Sequence, residues 1–273
     1  MIDVLIPTID RVGALAVTLA GLAAQADGVL AGVTIADQSE RPVAEEPLVV
    51  AMLRTLEHHG VPVAVHRRPV RRGVAEQRDY LLRQAQAELV LFLDDDVWLE
   101  PWAAATMASA LHQHGCGFVG MAVTGLSHLA DRRPHEVVPF EPWDGPVQPE
   151  DVRPESEAWA RYQLHNAANP THLAEQVGAT PGAPVAYRVA WVGGCVLYRR
   201  RALEAVGGFS FWPSLPVPHS GEDVLVQLRV MRRFGGAGLL PSGAVHLELP
   251  TTIPHRPVDA WMLDAAAAGG GRG

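Results

Sequence analysis

Short apolar runs rich in β-branched residues alternate with helix-like patterns along the first third of the chain. The strand-like runs cover residues 4–6, 33–36, 61–66 and 89–93. Between them lie three segments, 12–26, 47–59 and 73–86, with apolar residues at helical spacing. In the second of these, Leu48, Met52 and Leu56 share one helix face. Strands that alternate with helices predict right-handed βαβ units and a mainly parallel sheet.

The pattern changes after Met121. Residues 126–187 are rich in Pro, His, Trp and charged residues and have weak periodicity, so we predict an irregular insertion or lid with a short helix near 154–166. Regular patterns then return, with a strand over 189–198 and helices over 200–206 and 223–234. We expect a division at 1–125, 126–188 and 189–264, followed by a disordered Gly- and Ala-rich tail at 265–273.

Composition narrows the classes of function. The 273 residues suffice for one large α/β domain, or a domain and a smaller lobe, and 48% hydrophobic with 19% charged residues is typical of a soluble globular protein. The net charge of -8 argues against a nucleic-acid partner, which usually meets a basic surface. An acidic protein that binds a phosphorylated ligand tends to need a cation between the two.

Two cysteines and the absence of long apolar runs indicate the compartment. Cys116 and Cys195 lack the spacing of a zinc site, and we expect two buried thiols in a reducing, cytoplasmic setting. The first residues read as a strand, so no signal peptide is predicted. No apolar run is long enough to span a bilayer, so no integral membrane segment is expected.

Three adjacent aspartates, Asp94, Asp95 and Asp96, follow the apolar run 89–93 directly. The carboxyl ends of strands in open parallel sheets are where ligands bind. Adjacent carboxylates repel one another unless a cation or solvent neutralises them, and Mg²⁺ or Mn²⁺ prefers such oxygen ligands. We therefore predict a divalent cation site: Asp96 on the metal, Asp94 towards a ligand and Asp95 held by the protein. The alternative is a solvated acidic turn.

Several motifs, in this order and spacing, resemble the family 2 glycosyltransferases, which have the GT-A fold. They are the first strand with Pro7-Thr8, a second strand ending at Asp37, Arg72-Gly73 with Arg78, the Asp94–Asp96 element, Trp191 to Gly194, and Glu222-Asp223. Gln77 and Asp79 depart from the family's Ala-Arg-Asn pattern. The resemblance implies one α/β GT-A domain, with a Rossmann-like mainly parallel sheet flanked by helices and an irregular acceptor-side insertion.

The resemblance also implies roles for these residues. A nucleotide-diphosphate sugar donor would be bound in the half 1–125, and acceptor binding and catalysis would lie in 189–264. Asp223 would be the general base, with Glu222 beside it. The donor-binding residues would be Pro7, Thr8, Asp37, Arg72, Gly73, Arg78, Asp94 and Asp95. Metal ligands would be Asp96, Asp94 and a late histidine, His246, while Trp191, Gly193, Gly194 and Glu222 would bind the acceptor.

Each of these roles has a structural alternative. Asp37 suits a turn, and Arg78 suits a salt bridge to the acidic cluster. Glu222-Asp223 suits the first turn of a helix, where acidic residues are favoured. His246 is equally consistent with a structural role, and His219 is expected to be a loop residue.

The tryptophans and the reaction type leave further questions open. Trp143, Trp159 and Trp212 could also stack on a sugar, although most tryptophans serve packing, and we retain only Trp191. The open functional alternatives are a retaining enzyme and a nucleotide-sugar-binding protein without catalysis. The sequence does not identify the donor sugar, the acceptor or the oligomeric state.

Overall fold

An eight-stranded mixed sheet forms the centre of the protein, which a computed structural model describes over residues 1–264. The predicted disordered tail, 265–273, lies outside the described residues. The strands are β1 Ile2–Thr8, β2 Leu30–Asp37, β3 Val63–Arg67, β4 Leu89–Leu93, β5 Val97–Leu99, β6 Phe118–Gly120, β7 Thr124–Gly125, β8 Val185–Tyr187, β9 Cys195–Arg199, β10 Gly236–Leu240 and β11 Ala244–His246.

The order in the large sheet is β3-β2-β1-β4-β9-β6-β10-β8. The four strands β1 to β4 are parallel, with Val4 paired to Val33 on one side and to Leu91 on the other. β9 runs antiparallel between β4 and β6, and β8 runs antiparallel on the outside of β10. The predicted mainly parallel α/β sheet is confirmed.

Helices cover both faces of this sheet. They are α1 Val12–Ala23, α2 Pro47–His58, α3 Val74–Gln84, α4 Ala103–His114, α5 Asn169–Val177, α6 Arg200–Ala205 and α7 Glu222–Phe234. In β4, Leu89, Leu91 and Leu93 pack in the apolar layer with α1, α2 and α4. Val90 and Phe92 point to the opposite layer, with α3, α6 and α7. Since both faces are covered, the continuous apolar run is what a central strand requires.

The segment 126–187 is more regular than its composition indicates. A 3₁₀ helix, Glu157–His165, stands where the short helix was predicted, but α5 and the edge strand β8 were not predicted. The strand predicted over 189–198 begins only at Cys195, because Gly194 has a φ of +78° and breaks the extended backbone. No described helix is long and apolar enough to cross a membrane.

A second, three-stranded sheet, in the order β5-β11-β7, brings β11, the last of the described strands, back to the acidic cluster. Val97, the first residue of β5, pairs antiparallel with His246 at the end of β11. Because Val97 directly follows Asp96, this register places the His246 ring beside that aspartate.

Candidate active site

A cleft of about 570 Å³ opens at the carboxyl ends of β1 and β4. The predicted site residues that line it are Pro7, Thr8, Gly73, Arg78, Asp94, Asp95, Asp96, Glu222, Asp223 and His246. They come from strand ends, from the start of α3, from the start of α7 and from β11. The fold therefore joins residues that lie as far apart in the chain as Pro7 and His246 in one cavity.

The three aspartates have different surroundings. Asp95 is buried and accepts a hydrogen bond from Thr8 Oγ1 at 2.7 Å and one from Arg11 at 3.3 Å. Burial raises the pKa of Asp95 to about 6. Asp96 also accepts from Arg11, and its Oδ2 lies 3.5 Å from His246 Nε2. Burial alone would raise the pKa of Asp96. Interactions with His246 and Arg11 outweigh burial, so the net result is a pKa below the ordinary value for aspartate.

Asp94 is the most accessible of the three, with 39% of its side chain exposed. Its backbone N–H donates to the carbonyl of Gly194 at 2.9 Å, so the loop before β9 fixes the start of the acidic segment. A Cβ on Gly194 would lie 2.8 Å from Val123. Gly194 therefore packs closely against the acidic segment, at a position with no room for a side chain.

Arg78, on α3, joins the two acidic regions. Its Nη2 lies 2.9 Å from Asp94 Oδ1 and its Nε lies 3.0 Å from Glu222 Oε1. Burial lowers the pKa of Arg78, but Asp94, Glu222 and Asp223 together raise it above its ordinary value. The guanidinium therefore stays charged, and it neutralises carboxylates that burial would otherwise destabilise.

Glu222 and Asp223 form the first turn of α7, whose N-terminal amides favour negative charge. Glu222 is buried against Arg78, and burial raises its pKa. Asp223 is half-buried and accepts from the N–H of Val224 at 2.9 Å. Burial, and then the charge of Glu222, raises the pKa of Asp223 to about 7. A carboxyl group with this pKa can accept a proton near neutral pH.

His219 is a structural link that the sequence did not reveal. The ring is 1% exposed; its Nε2 accepts from the N–H of Ala75 at 3.2 Å, and its Nδ1 donates to the carbonyl of Pro216 at 2.7 Å. Gly73 has a φ of +95°, and a Cβ there would lie 2.3 Å from His219 Cε1. His219 thus ties the start of α3 to the loop that precedes Glu222.

Some predicted site residues lie away from the cleft lining. Asp37 is fully buried and accepts from the N–H groups of Ser39 and Val43, at 2.8 and 3.0 Å, within its own loop. Arg72 is exposed, with its guanidinium carbon 6.0 Å from the Trp212 ring. Trp191, Gly193 and Gly194 are not among the residues that line the cleft. Three arginines that were not predicted as site residues line the cleft: Arg11, Arg71 and Arg256.

The side chains near Asp96 suit a cation that is coordinated partly by the protein and partly by a bound ligand. Within residues 1–264 no three His, Cys, Asp or Glu side chains form a complete metal-binding group. Asp96 and His246 do converge, and Asp94 has an accessible carboxylate nearby. Mg²⁺ is commonly held by one or two carboxylates together with substrate phosphates rather than by a full protein cage. The residues present suit that incomplete arrangement.

Comparison with solved structures identifies the fold. TarS 1–349 of S. aureus is 16% identical and superposes with a TM-score of 0.55 over 90% of this chain and 60% of its own. PcManGT, a mannosyltransferase from Pyrobaculum calidifontis in complex with GDP-Man and Mn²⁺, is 17% identical, with a TM-score of 0.54 over 92% of this chain and 58% of its own. This chain therefore spans about 60% of the length of these structures. The likeness confirms the GT-A fold.

Comparison at the level of sequence covers the first half of the chain. No curated protein sequence matches significantly. Residues 3–152 match the family model described as Glycosyl transferase family 2. The match includes β1, α3 and the acidic cluster, and it ends before α7 and β11. Because it covers more than half of the chain, the protein belongs to glycosyl transferase family 2.

Proposed function

We propose that the protein is a metal-dependent glycosyltransferase that moves a sugar from a UDP- or GDP-sugar to an acceptor hydroxyl with inversion. One observation carries the proposal: Asp223, with a pKa of about 7, lines the same cleft as the accessible carboxylate of Asp94. The cleft thereby combines a region suited to a diphosphate and its cation with a group suited to removing a proton.

The donor would lie over the carboxyl ends of β1 and β4. Asp96 and His246 would hold Mg²⁺ or Mn²⁺, with Asp94 contributing an oxygen or facing the sugar. When bound, the metal would neutralise the charge that grows on the departing diphosphate. Support comes from two structural neighbours, of which PcManGT contains GDP-Man and Mn²⁺ and TarS contains UDP-GlcNAc. Thr8 and Arg11 would hold Asp95 as a support rather than a ligand.

Asp223 is the better candidate for the base, because Glu222 is already paired with Arg78. Asp223 would take the proton of the acceptor hydroxyl as that oxygen bonds to the anomeric carbon. The bond from the anomeric carbon to the diphosphate oxygen breaks, and the nucleoside diphosphate leaves with its electron pair. Attack from the side opposite the leaving group inverts the anomeric centre.

A thermal-shift screen of UDP, GDP and dTDP, each with and without Mn²⁺, tests the donor side. We expect stabilisation by one of the three that depends on Mn²⁺, and its loss in Asp96→Asn. The matched control is Asp27→Asn, an exposed aspartate outside the cleft lining. No metal-dependent shift with any nucleotide would overturn the proposal.

The catalytic assignment needs a separate readout. Asp223→Asn should keep the nucleotide-dependent shift but lose turnover by about 10²- to 10⁴-fold, the usual contribution of a general base. NMR of the product's anomeric proton should show the configuration opposite to that of the donor. Product with the donor's own configuration would contradict inversion and favour a retaining enzyme. Nucleotide binding without turnover of any sugar would favour a binding protein.

A further inference from the structure

Three loops border the mouth of the cleft. They cover residues 67–73, between β3 and α3; residues 211–219, before α7; and residues 249–256, after β11. Each of them contributes residues to the lining of the cleft. The first two are in contact, because the carbonyl oxygen of Val217 lies 2.9 Å from the position that a Cβ on Gly73 would take. We call these three segments the mouth loops.

Each mouth loop carries an exposed apolar side chain. Val70 is 63% exposed, Val217 is 50% exposed and Leu249 is 41% exposed. The loop of Val217 adds three exposed prolines, Pro213, Pro216 and Pro218. Single exposed apolar residues are ordinary on a soluble protein, but apolar side chains on adjoining loops around one opening mark an interaction surface.

The mouth loops also differ in charge from the rest of the chain. They contain five arginines and no aspartate or glutamate, whereas the whole chain has 30 acidic residues and a net charge of -8. The sequence therefore concentrates positive charge around the opening of an otherwise acidic protein. Such a local excess of one sign favours a partner of the opposite sign.

The five arginines are not all used within the protein. Arg67, Arg68 and Arg71 each pair with a carboxylate. Arg72 and Arg256 are exposed and have no acidic partner among residues 1–264: Arg72 lies near the Trp212 ring, and Arg256 donates only to groups of its own loop. Arg72 is also outside the cleft lining, so a ligand inside the cleft does not account for it.

Exposed apolar side chains next to unpaired guanidinium groups fit the surface of an anionic lipid bilayer. Lipid phosphates attract arginine, and apolar side chains enter the boundary between headgroups and acyl chains. An acidic polymer would engage the arginines but would leave the apolar side chains in water. A second copy of the chain would bring like charges together, which is unfavourable at an interface.

We propose that the mouth loops dock on an anionic lipid surface and turn the mouth of the cleft towards the bilayer. Val70, Val217 and Leu249 enter the interface, while Arg72 and Arg256 bind lipid phosphates. The contact is peripheral, because it uses the tips of loops. Docking of this kind is independent of the reaction proposed above.

Co-sedimentation with lipid vesicles tests the docking surface. The full chain would be mixed, in about 0.1 M NaCl, with vesicles of phosphatidylcholine alone or of phosphatidylcholine with phosphatidylglycerol. We expect binding to the mixed vesicles and little binding to the neutral ones. Binding should weaken strongly in about 1 M NaCl, because the Debye length falls from roughly 10 Å to roughly 3 Å.

Variants of the mouth loops identify the contact. Arg72→Gln should weaken binding to the mixed vesicles about fivefold, the usual effect of one arginine near an anionic surface. Val70→Ser combined with Val217→Ser should weaken it about tenfold, because two apolar side chains lose their place in the interface. The matched controls, Arg54→Gln and Val138→Ser, change exposed residues outside the mouth loops and the cleft lining, and they should bind as the wild type does.

Three outcomes would overturn the docking surface. The first is no binding of the wild type to the mixed vesicles. The second is equal binding by the wild type and the mouth-loop variants, which would place the contact elsewhere on the chain. The third is light scattering that shows a dimer in the wild type and a monomer in the double valine variant, which would assign the surface to a second copy. A wild type that binds vesicles but shows no Mn²⁺-dependent thermal shift with any nucleotide would overturn only the proposed function.

Discussion

Replacing Arg78 by methionine should be the most destabilising single change at the cleft. The substitution keeps much of the side-chain length but removes the charge that pairs with Glu222 and Asp94. Glu222 is buried, so its carboxylate would be left without a partner in a poorly solvated position. Asp94 is 39% exposed, so water can solvate its carboxylate when the guanidinium of Arg78 is removed.

The expected cost follows from the burial of Glu222. Breaking a buried ion pair by removing one partner costs about 3–5 kcal/mol. For a chain of this size each kcal/mol lowers Tm by roughly 2–4 °C, so Tm should fall by about 6–20 °C. Arg132→Met is the matched control. Arg132 and its partner Glu175, 3.1 Å apart, are both well exposed, so removal of Arg132 should cost about 0.5 kcal/mol or less.

Thermal unfolding followed by circular dichroism, together with urea titration, measures both variants. The loss in Arg78→Met should be smaller at pH 5 than at pH 8, since protonation neutralises the stranded carboxyl at the lower pH. Arg78→Met combined with Glu222→Gln should recover part of the stability. A cost for Arg78→Met within about 1 kcal/mol of the Arg132→Met control, or no recovery in the double variant, would refute the reasoning.

Four further predictions concern the site. If Asp223 acts ionised, kcat/KM should fall as the pH drops below about 7, and a rate that is flat from pH 5 to 8 would exclude it as the base. The same raised pKa means that the ionised carboxyl is disfavoured in the folded state, so Asp223→Asn should raise Tm more at pH 8 than at pH 5. Gly73→Ala should cost about 1–3 kcal/mol, because its φ is positive and the new Cβ would meet His219, whereas Gly60→Ala, with a positive φ but open space, should cost less in the same urea titration. Asp96→Asn should weaken Mn²⁺ binding at least about tenfold by calorimetry in the presence of the nucleotide, and unchanged affinity would remove it from the metal site.

The sequence predicted the strands and helices of the first 93 residues well because their signals are local. A continuous apolar run that ends in Asp94 marks a central strand and its carboxyl end at once, and the structure bears this out in β4. The glycine before α3 and the acidic start of α7 are equally local signals. These features could be read from a few neighbouring residues, without knowledge of the tertiary contacts.

The contacts that complete the cleft could not be predicted, because they join residues far apart in the chain. Arg11 meets Asp95 and Asp96 across 84 and 85 positions, and His219 meets Ala75 across 144. Nothing in the pattern around either residue indicates its partner. The edge strand β8 was missed for a similar reason: its three residues are too few for a periodic signal, and it pairs with residues of β10 that lie more than 50 positions later.

The position of β9 between β4 and β6 has a consequence for folding during synthesis on the ribosome. β4 is a fully apolar strand, Leu89–Leu93, and its antiparallel neighbour begins only at Cys195. At about 5–20 residues per second, a ribosome needs roughly 5–20 s to synthesise the intervening chain. During that time the nascent β4 presents an unpaired apolar edge, the kind of segment that templates aggregation. Slower elongation over residues 94–199 should therefore lower the soluble yield, and chaperones that cover exposed strands should restore it.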